Sequence, residues 1–130
     1  MTVLDASAIL EVLLQTAAGA SVTERLLSPD STLHVPHLMD VEVTQVLRRF
    51  VARGEIEPER ARQALEDLAD LPLQRYAHDV LLPRVWELRQ NLTAYDAVYV
   101  ALAEVLDAPL LTRDARILRA PGHGARVEVF

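Results

Sequence analysis

The residues with the clearest chemical potential are four carboxylates: Asp5, Glu42, Asp96 and Asp114. Asp5 and Asp114 each come after a short apolar run, at residues 3–4 and 110–112, in front of a helical pattern. Asp96 lies in the first turn of a strongly apolar helical pattern, and Glu42 lies inside another. Carboxylate oxygens gathered where strands end are the ligands that a hard metal ion needs.

Glu42 is the hardest of the four acids to explain as a purely structural residue. On a helix of about 100° per residue, it falls in an apolar arc between Leu38 and Val46. Because an unpaired buried carboxylate is energetically costly, Glu42 must be paired, protonated or bound to a cation. We favour a cation, and the alternatives are a salt bridge with a residue such as Arg49 or emergence at the rim of the apolar face.

The other three acids each have a capping alternative. Asp5 and Asp114 both precede helical patterns, where aspartate is a preferred N-cap. Thr93 and Asp96 have the spacing of a capping box, at the start of a helix that is apolar on nearly every side and therefore predicted to be buried. Taken singly, these three acids could be caps as well as metal ligands.

A cluster of four acids points to a particular kind of cation. Without a counter-charge at least one of the carboxylates would take up a proton, whereas one or two Mg²⁺ ions would neutralise them. The chain has no cysteine, and its four histidines are at positions that do not suit a zinc site. The predicted cofactor is therefore Mg²⁺, with Mn²⁺ as a substitute.

The elements that must position these acids alternate between strands and helices. Predicted strands lie at residues 3–4, 33–35, 73–76, 110–112 and 127–129. Predicted helices lie near residues 6–15, 19–28, 38–53, 58–70, 78–90 and 94–106, with a short one from 114, and Pro83 indicates a later start for the fifth. This alternation, without hairpin signals, predicts an α/β fold with a mostly parallel sheet covered by helices. Ligands bind such sheets outside the carboxyl ends of the strands, where Asp5 and Asp114 would lie.

Length and composition limit the classes of protein. A chain of 130 residues is expected to form one domain over residues 1–130, and its 51% hydrophobic content suggests that some apolar surface faces a partner. No signal peptide or membrane span is evident, so we expect a cytoplasmic protein. The net charge of −6 argues against coating nucleic acid through a bulk positive field. All thirteen basic residues are arginine, which excludes P-loop and Schiff-base chemistry because both need lysine.

Four segments, in this order along the chain, resemble the motifs of PIN-domain proteins. They are residues 3–8, residues 35–43, residues 92–103 and residues 110–114, and each contains one acid of the quartet. Together they extend over nearly the whole chain. A single-domain protein of this length with these motifs resembles the VapC-type toxins of bacterial toxin–antitoxin pairs.

The resemblance implies a Rossmann-like PIN fold, with a central parallel sheet of five or so short strands, and a metal-dependent endoribonuclease activity. Asp5, Glu42, Asp96 and Asp114 match the acidic quartet of the family, and Ser7 and Thr112 match supporting hydroxyl positions. The family also implies a homodimer, an inhibitory antitoxin, and RNA hydrolysis that leaves a 5′-phosphate and a 3′-hydroxyl. In the hypothesis that follows, a metal-activated water attacks the phosphodiester, with Asp5 and Asp96 holding the principal ion.

Two further features complete the prediction. Arg113, Arg48 and Arg49 are candidates for contacts with RNA phosphates, and the alternative for each is a solvated helix face. The alternative function is a non-catalytic α/β interaction module whose acids are helix caps. A receiver-type domain is disfavoured because the chain has no lysine, and a haloacid-dehalogenase-type phosphatase because Ser7 replaces its second acid.

Overall fold

The computed structural model describes residues 1–130 and has a five-stranded sheet at its centre. The strands are β1 (Thr2–Leu4), β2 (Leu33–Pro36), β3 (Leu73–Tyr76), β4 (Leu110–Thr112) and β5 (Val127–Val129). Their order is β3-β2-β1-β4-β5, and every neighbouring pair is parallel. The predicted α/β fold with a parallel sheet is confirmed, and each predicted strand is present to within one residue at either end.

Seven α-helices surround the sheet: α1 (Ala6–Leu13), α2 (Ala20–Leu27), α3 (Leu38–Ala52), α4 (Pro58–Asp70), α5 (Leu82–Glu87), α6 (Ala94–Leu106) and α7 (Ala115–Arg119). The helix predicted near 78–90 is divided into a 3₁₀ turn at Asp79–Leu81 and α5. Pro83 lies in the first turn of α5, where its missing N–H costs no helical hydrogen bond. A second 3₁₀ turn, Ala17–Gly19, precedes α2.

The order in which the strands are added to the sheet reverses between β1 and β4. From β1 it proceeds through β2 to β3 on one side, and β4 and β5 lie on the other side. Val3 is in register with Leu110 and Leu4 with Leu111, so β1 and β4 end at the same edge. Such a switch point is where open parallel sheets form ligand crevices, because the following loops diverge there.

Helix α6 lies deepest in the molecule and brings its first turn to this edge. Seven consecutive residues, Ala97–Ala103, are buried, and the helix contacts β1, β2 and β4. A helix that is apolar on all sides must be covered on all sides, as the sequence predicted. Burial of α6 therefore determines where Asp96, in its first turn, is placed.

None of the helices is by itself long and apolar enough to cross a membrane. The segments Ala6–Leu13 and Ala17–Leu27 reach the required length and composition only together, and they are bent by 112°.

Gly19 allows the start of α2 to pack closely on α1. A Cβ at position 19 would lie 2.6 Å from the backbone oxygen of Glu11 and 3.1 Å from the backbone nitrogen of Val12. We expect Gly19→Ala to lower the free energy of unfolding by about 1–3 kcal/mol, the usual cost of overpacking. Urea unfolding measures this. Gly124→Ala is the control, because its Cβ would meet Glu104 at an ordinary 3.5 Å; equal stability of the two variants would contradict the prediction.

Candidate active site

Asp5 is a helix cap and a member of the acidic cluster at once. One carboxylate oxygen accepts hydrogen bonds from Ser7 Oγ at 2.6 Å and from the Ala8 backbone N–H at 3.1 Å, which caps α1. The other oxygen accepts from Thr112 Oγ1 at 2.5 Å. The residue is only 7% exposed. Burial raises the pKa of the Asp5 carboxyl, and the hydrogen bonds from Ser7 and Thr112 act in the opposite direction.

The hydroxyls of Ser7 and Thr112 connect the ends of β1 and β4. Ser7 Oγ accepts from the backbone N–H of Arg113 at 3.0 Å, and Thr112 Oγ1 accepts from that of Asp114 at 2.9 Å. Because an ionised carboxylate can only accept hydrogen bonds, each hydroxyl donates its own proton to Asp5 while its oxygen accepts from a backbone N–H. The two hydroxyls therefore fix the orientation of the Asp5 carboxylate.

Glu42 is half-buried on α3 and has one strong partner, the phenol of Tyr99. Tyr99 is 2% exposed, and its hydroxyl donates to Glu42 Oε1 at 2.5 Å. The salt bridge with Arg49 that the sequence left open does not form. Burial raises the pKa of Glu42; the Tyr99 hydrogen bond lowers it, and the charges of Asp96 and Asp5 raise it further.

Sequence reasoning missed Tyr99 as a site residue. A usable signal was present, because a single hydroxyl-bearing side chain stands in the apolar run of α6, one helical turn after Asp96. A buried tyrosine hydroxyl usually finds a hydrogen-bond partner, so its burial in α6 indicated an acceptor nearby.

Asp96 is half-buried, and its carboxylate is not the helix cap. Thr93 caps α6 by accepting from the Asp96 backbone N–H at 3.2 Å. The return bond that would complete a capping box, from the Thr93 N–H to the Asp96 carboxylate, is not formed. Burial raises the pKa of Asp96, and the negative charge of Asp114 adds to this effect, whereas the Thr93 side chain and the charge of Arg116 act in the opposite direction. The Asp96 carboxylate is therefore not needed to cap α6.

Asp114 differs from the other three acids because it has a cationic partner. It caps α7 by accepting from the Arg116 backbone N–H at 2.9 Å, and Arg116 Nη2 lies 2.7 Å from its other oxygen. Hydrogen bonding from Arg116 lowers the pKa of Asp114 and keeps it ionised. Arg116 was not among the residues predicted from the sequence.

The four acids act on one another electrostatically, with Asp96 at the centre. The charge of Asp96 raises the pKa of both Asp5 and Glu42, and the charge of Asp114 raises that of Asp96. None of Asp5, Glu42 and Asp96 forms an ion pair, and the only positive charge that acts on any of them is that of Arg116 on Asp96. Their oxygens are the donors that a hard divalent cation prefers.

The positions of the side chains limit how such an ion could be held. No group of three or more Asp, Glu, His or Cys side chains is arranged to bind a metal together. Mg²⁺ does not require such a group, since it usually keeps several waters and takes one or two carboxylates with substrate phosphates. The acids therefore fit a hydrated Mg²⁺ ion in charge and donor chemistry.

The three arginines predicted to contact phosphate have different surroundings. Arg49 lines a groove together with Glu42. Arg113 follows β4, but its guanidinium donates to the Phe130 backbone oxygen at 2.6 Å and lies over the Phe130 ring. Arg48 lines a hollow between α3 and α4, away from Glu42. Arg49 is thus the one of the three that shares a concave surface with an acid of the quartet.

Comparison with known proteins agrees with this architecture. The sequence matches the PIN domain over residues 2–123, nearly the whole chain. The chain belongs to the PIN-domain family. This PIN domain is 48% identical over 121 residues to Ribonuclease VapC1 of Mycobacterium tuberculosis, covering 92% of this chain and 90% of that protein. It is 40% identical over 129 residues to Ribonuclease VapC12 of the same species, covering 99% and 98%. The predicted family and its VapC-type group are confirmed.

Solved structures support the fold of this PIN domain. A protein of Pyrobaculum aerophilum superimposes with a TM-score of 0.70 at 22% identity, over 97% of this chain and 82% of that one. A chain of VapBC2 from Rickettsia felis, in a complex bound to a DNA fragment from their promoter, gives 0.71 at 14% identity over 98% and 97%. At these identities the likeness concerns the fold alone.

Proposed function

We propose that this chain is the toxin of a toxin–antitoxin pair and that it is an endoribonuclease hydrolysing RNA phosphodiester bonds with the help of Mg²⁺ or Mn²⁺. The observation that carries the proposal is the set of three buried or half-buried carboxylates, Asp5, Glu42 and Asp96, that act on one another electrostatically and form no ion pair, at the switch point of the sheet. The ribonuclease names of the relatives at 48% and 40% identity support the same activity.

In this proposal, Asp5 and Asp96 hold the principal ion, and Glu42 and Asp114 hold a second ion or orient the attacking water. A bound divalent ion lowers the pKa of a water ligand and stabilises the charge that grows on the phosphate oxygens. Ser7 and Thr112 support the site by donating to Asp5, which opposes the effect of burial on the pKa of its carboxyl and holds it in one orientation.

The acids differ in their fitness as a general base. A base works best when its pKa lies close to the working pH. Burial raises the pKa of Glu42, whereas Arg116 lowers that of Asp114. We therefore assign to Glu42 the acceptance of the proton from the attacking water. Asp114, which stays ionised, would contribute a fixed negative charge to the site.

The proposed partners are an RNA substrate, a cognate antitoxin and a second copy of the chain. The structural relatives include a VapBC2 assembly and a toxin-antitoxin complex from Klebsiella pneumoniae, which supports an antitoxin partner. A toxin that cleaves RNA acts where RNA is translated, so we expect it in the cytoplasm.

The alternative function, a non-catalytic interaction module, accounts for only part of the site. Asp5 and Asp114 do cap helices, as that hypothesis predicted. Capping does not explain Glu42 in mid-helix, nor Asp96, whose helix is capped by Thr93. The ribonuclease proposal accounts for all four acids.

Metal dependence is the direct test of the proposal. Purified protein incubated with total RNA is expected to cleave it in Mg²⁺ or Mn²⁺ and to lose the activity in EDTA, with recovery when the ion is restored. Cleavage products carry 5′-phosphates, which ligation-based sequencing identifies. Full activity in EDTA would overturn the metal assignment. Absence both of cleavage and of growth arrest on expression without an antitoxin would overturn the ribonuclease assignment.

A further inference from the structure

A groove extends from the carboxylates beyond the residues that the proposed chemistry uses. It has a volume of about 390 Å³ and is lined by side chains of α1, α3 and the start of α6, among them Ser7, Leu10, Val41, Glu42, Arg49 and Tyr95. Ser7 and Glu42 also belong to the acidic site, so the groove is continuous with it. Its size lies at the lower end of the range of about 300–1,000 Å³ that is typical of small-molecule pockets.

Two large apolar side chains are exposed in this groove. Val41 is 67% exposed and Tyr95 is 63% exposed. The Tyr95 hydroxyl has no hydrogen-bond partner within the chain, although Tyr95 directly precedes Asp96 at the edge of the site. Single exposed apolar residues are common on protein surfaces. Two of them in one concavity, next to a cluster of acids, instead indicate a surface that a ligand covers.

Electrostatics shows what kind of contact a substrate could make there. The chain carries a net charge of −6, and Arg49 is the only cationic side chain that lines the groove. A protein with few phosphate contacts gains little RNA affinity from counterion release. Stacking of bases on aromatic rings is available to such a protein, because every base presents a π-face regardless of the local charge.

We propose that this groove binds one unpaired nucleobase of the RNA substrate, stacked on Tyr95, next to the phosphate that the acidic site cleaves. Arg49 and Gln45, which also line the groove, supply the donors for the base edge or the adjoining phosphate. The inference rests on the proposed ribonuclease function. It favours single-stranded or looped RNA, because a base inside an A-form duplex must first be unpaired and unstacked before it can enter the groove.

The test separates base binding from chemistry. Binding of a labelled twelve-nucleotide single-stranded RNA of mixed sequence is measured by fluorescence anisotropy in EDTA, with the matching duplex for comparison. Tyr95→Ala is expected to weaken single-strand binding about fivefold or more, the equivalent of losing at least one stacked base. Tyr95→Phe, which keeps the ring, should bind like wild type, and the duplex should bind weakly to all three proteins.

A matched control comes from another exposed aromatic residue. Trp86 on α5 is 67% exposed and lines a separate hollow with Leu82 and Arg89. Trp86→Ala should leave single-strand binding unchanged. In cleavage assays Tyr95→Ala should raise KM with little change in kcat, as expected when a contact is lost equally in the ground and transition states.

The outcomes distinguish the possible occupants of the groove. Wild-type affinity of Tyr95→Ala for single-stranded RNA, or equal losses in Tyr95→Ala and Trp86→Ala, would overturn the base-binding inference while leaving the ribonuclease proposal intact. The inference is likewise overturned if Tyr95→Ala binds RNA normally but loses self-association or capture of a co-expressed antitoxin, since the groove would then be a protein contact. A wild-type protein that neither binds nor cleaves RNA would overturn both proposals.

Discussion

The Asp96→Asn variant is expected to cleave RNA about a hundred- to a thousandfold more slowly than the wild-type protein. A metal ion contributes several kcal/mol of transition-state stabilisation, and each 1.4 kcal/mol corresponds to about a tenfold change in rate. Asp96 is electrostatically at the centre of the site, since its charge acts on both Asp5 and Glu42. Asparagine keeps the shape of the side chain and removes its charge. Single-turnover cleavage in Mg²⁺ measures the effect.

Asp40→Asn is the matched control for this variant. Asp40 lies on α3 two residues before Glu42, but its carboxylate pairs with Arg75 at 2.8 Å, outside the acidic cluster. The same chemical change at Asp40 should leave cleavage close to wild type. Equal activity of the wild-type and Asp96→Asn proteins would contradict the proposed site.

Metal-free stability provides an independent check on Asp96→Asn. Burial raises the pKa of Asp96 in the folded protein, so its protonated form stabilises the fold and its charged form opposes it. This contribution is present at low pH and is lost as the pH rises through the raised pKa. In EDTA, the variant should therefore gain stability relative to wild type between about pH 4, near the unfolded pKa of aspartate, and pH 7. A loss of stability in that window would indicate damage to the fold.

The second large effect is expected at Tyr99, where phenylalanine removes only the hydroxyl. Residues that orient metal ligands typically change metal affinity or activity about 10- to 100-fold when they are mutated. Burial and the adjacent Glu42 raise the pKa of Tyr99, so its hydroxyl remains a donor and fixes Glu42 Oε1. Tyr99→Phe should therefore weaken Mn²⁺ binding, measured directly by electron paramagnetic resonance, by about 10- to 100-fold.

Tyr76→Phe separates this effect from the simple loss of a hydrogen bond. The Tyr76 hydroxyl bonds to His34 Nδ1 at 2.7 Å, at the β2–β3 side of the sheet. Its removal should cost stability without changing Mn²⁺ affinity. If Tyr99→Phe likewise loses stability but binds Mn²⁺ and cleaves RNA as wild type does, the Tyr99–Glu42 bond has only a structural role.

Much of the fold could be predicted because its signals are local. Short apolar runs that alternate with amphipathic stretches indicate a parallel sheet, and strands β1 and β4 were predicted on that basis. The burial of α6 followed from its apolar composition on every side. The predicted helix boundaries were less accurate where the apolar periodicity continues across a proline or a tight turn. At residues 79–87 a 3₁₀ turn and Pro83 divide what periodicity alone presents as one helix.

The sequence could not decide whether an acid is a helix cap or a proposed metal ligand. That choice depends on the hydrogen bonds of its carboxylate, which residue spacing does not specify. For Asp5 both descriptions hold, since it caps α1 and also accepts from Thr112, 107 positions away. For Asp96 the capping box predicted two bonds, and only the one accepted by Thr93 is present.

By itself the sequence determined the parallel α/β fold, the membership in the PIN-domain family and the presence of one acid in each of four motifs. Only the tertiary structure decided that Tyr99 holds Glu42 and that Tyr95 and Val41 share a groove. The physical reason is distance along the chain. Tyr99 and Glu42 are 57 positions apart, and their contact depends on how α3 and α6 pack against the sheet. Periodicity and capping signals extend over only a few residues and cannot encode such packing.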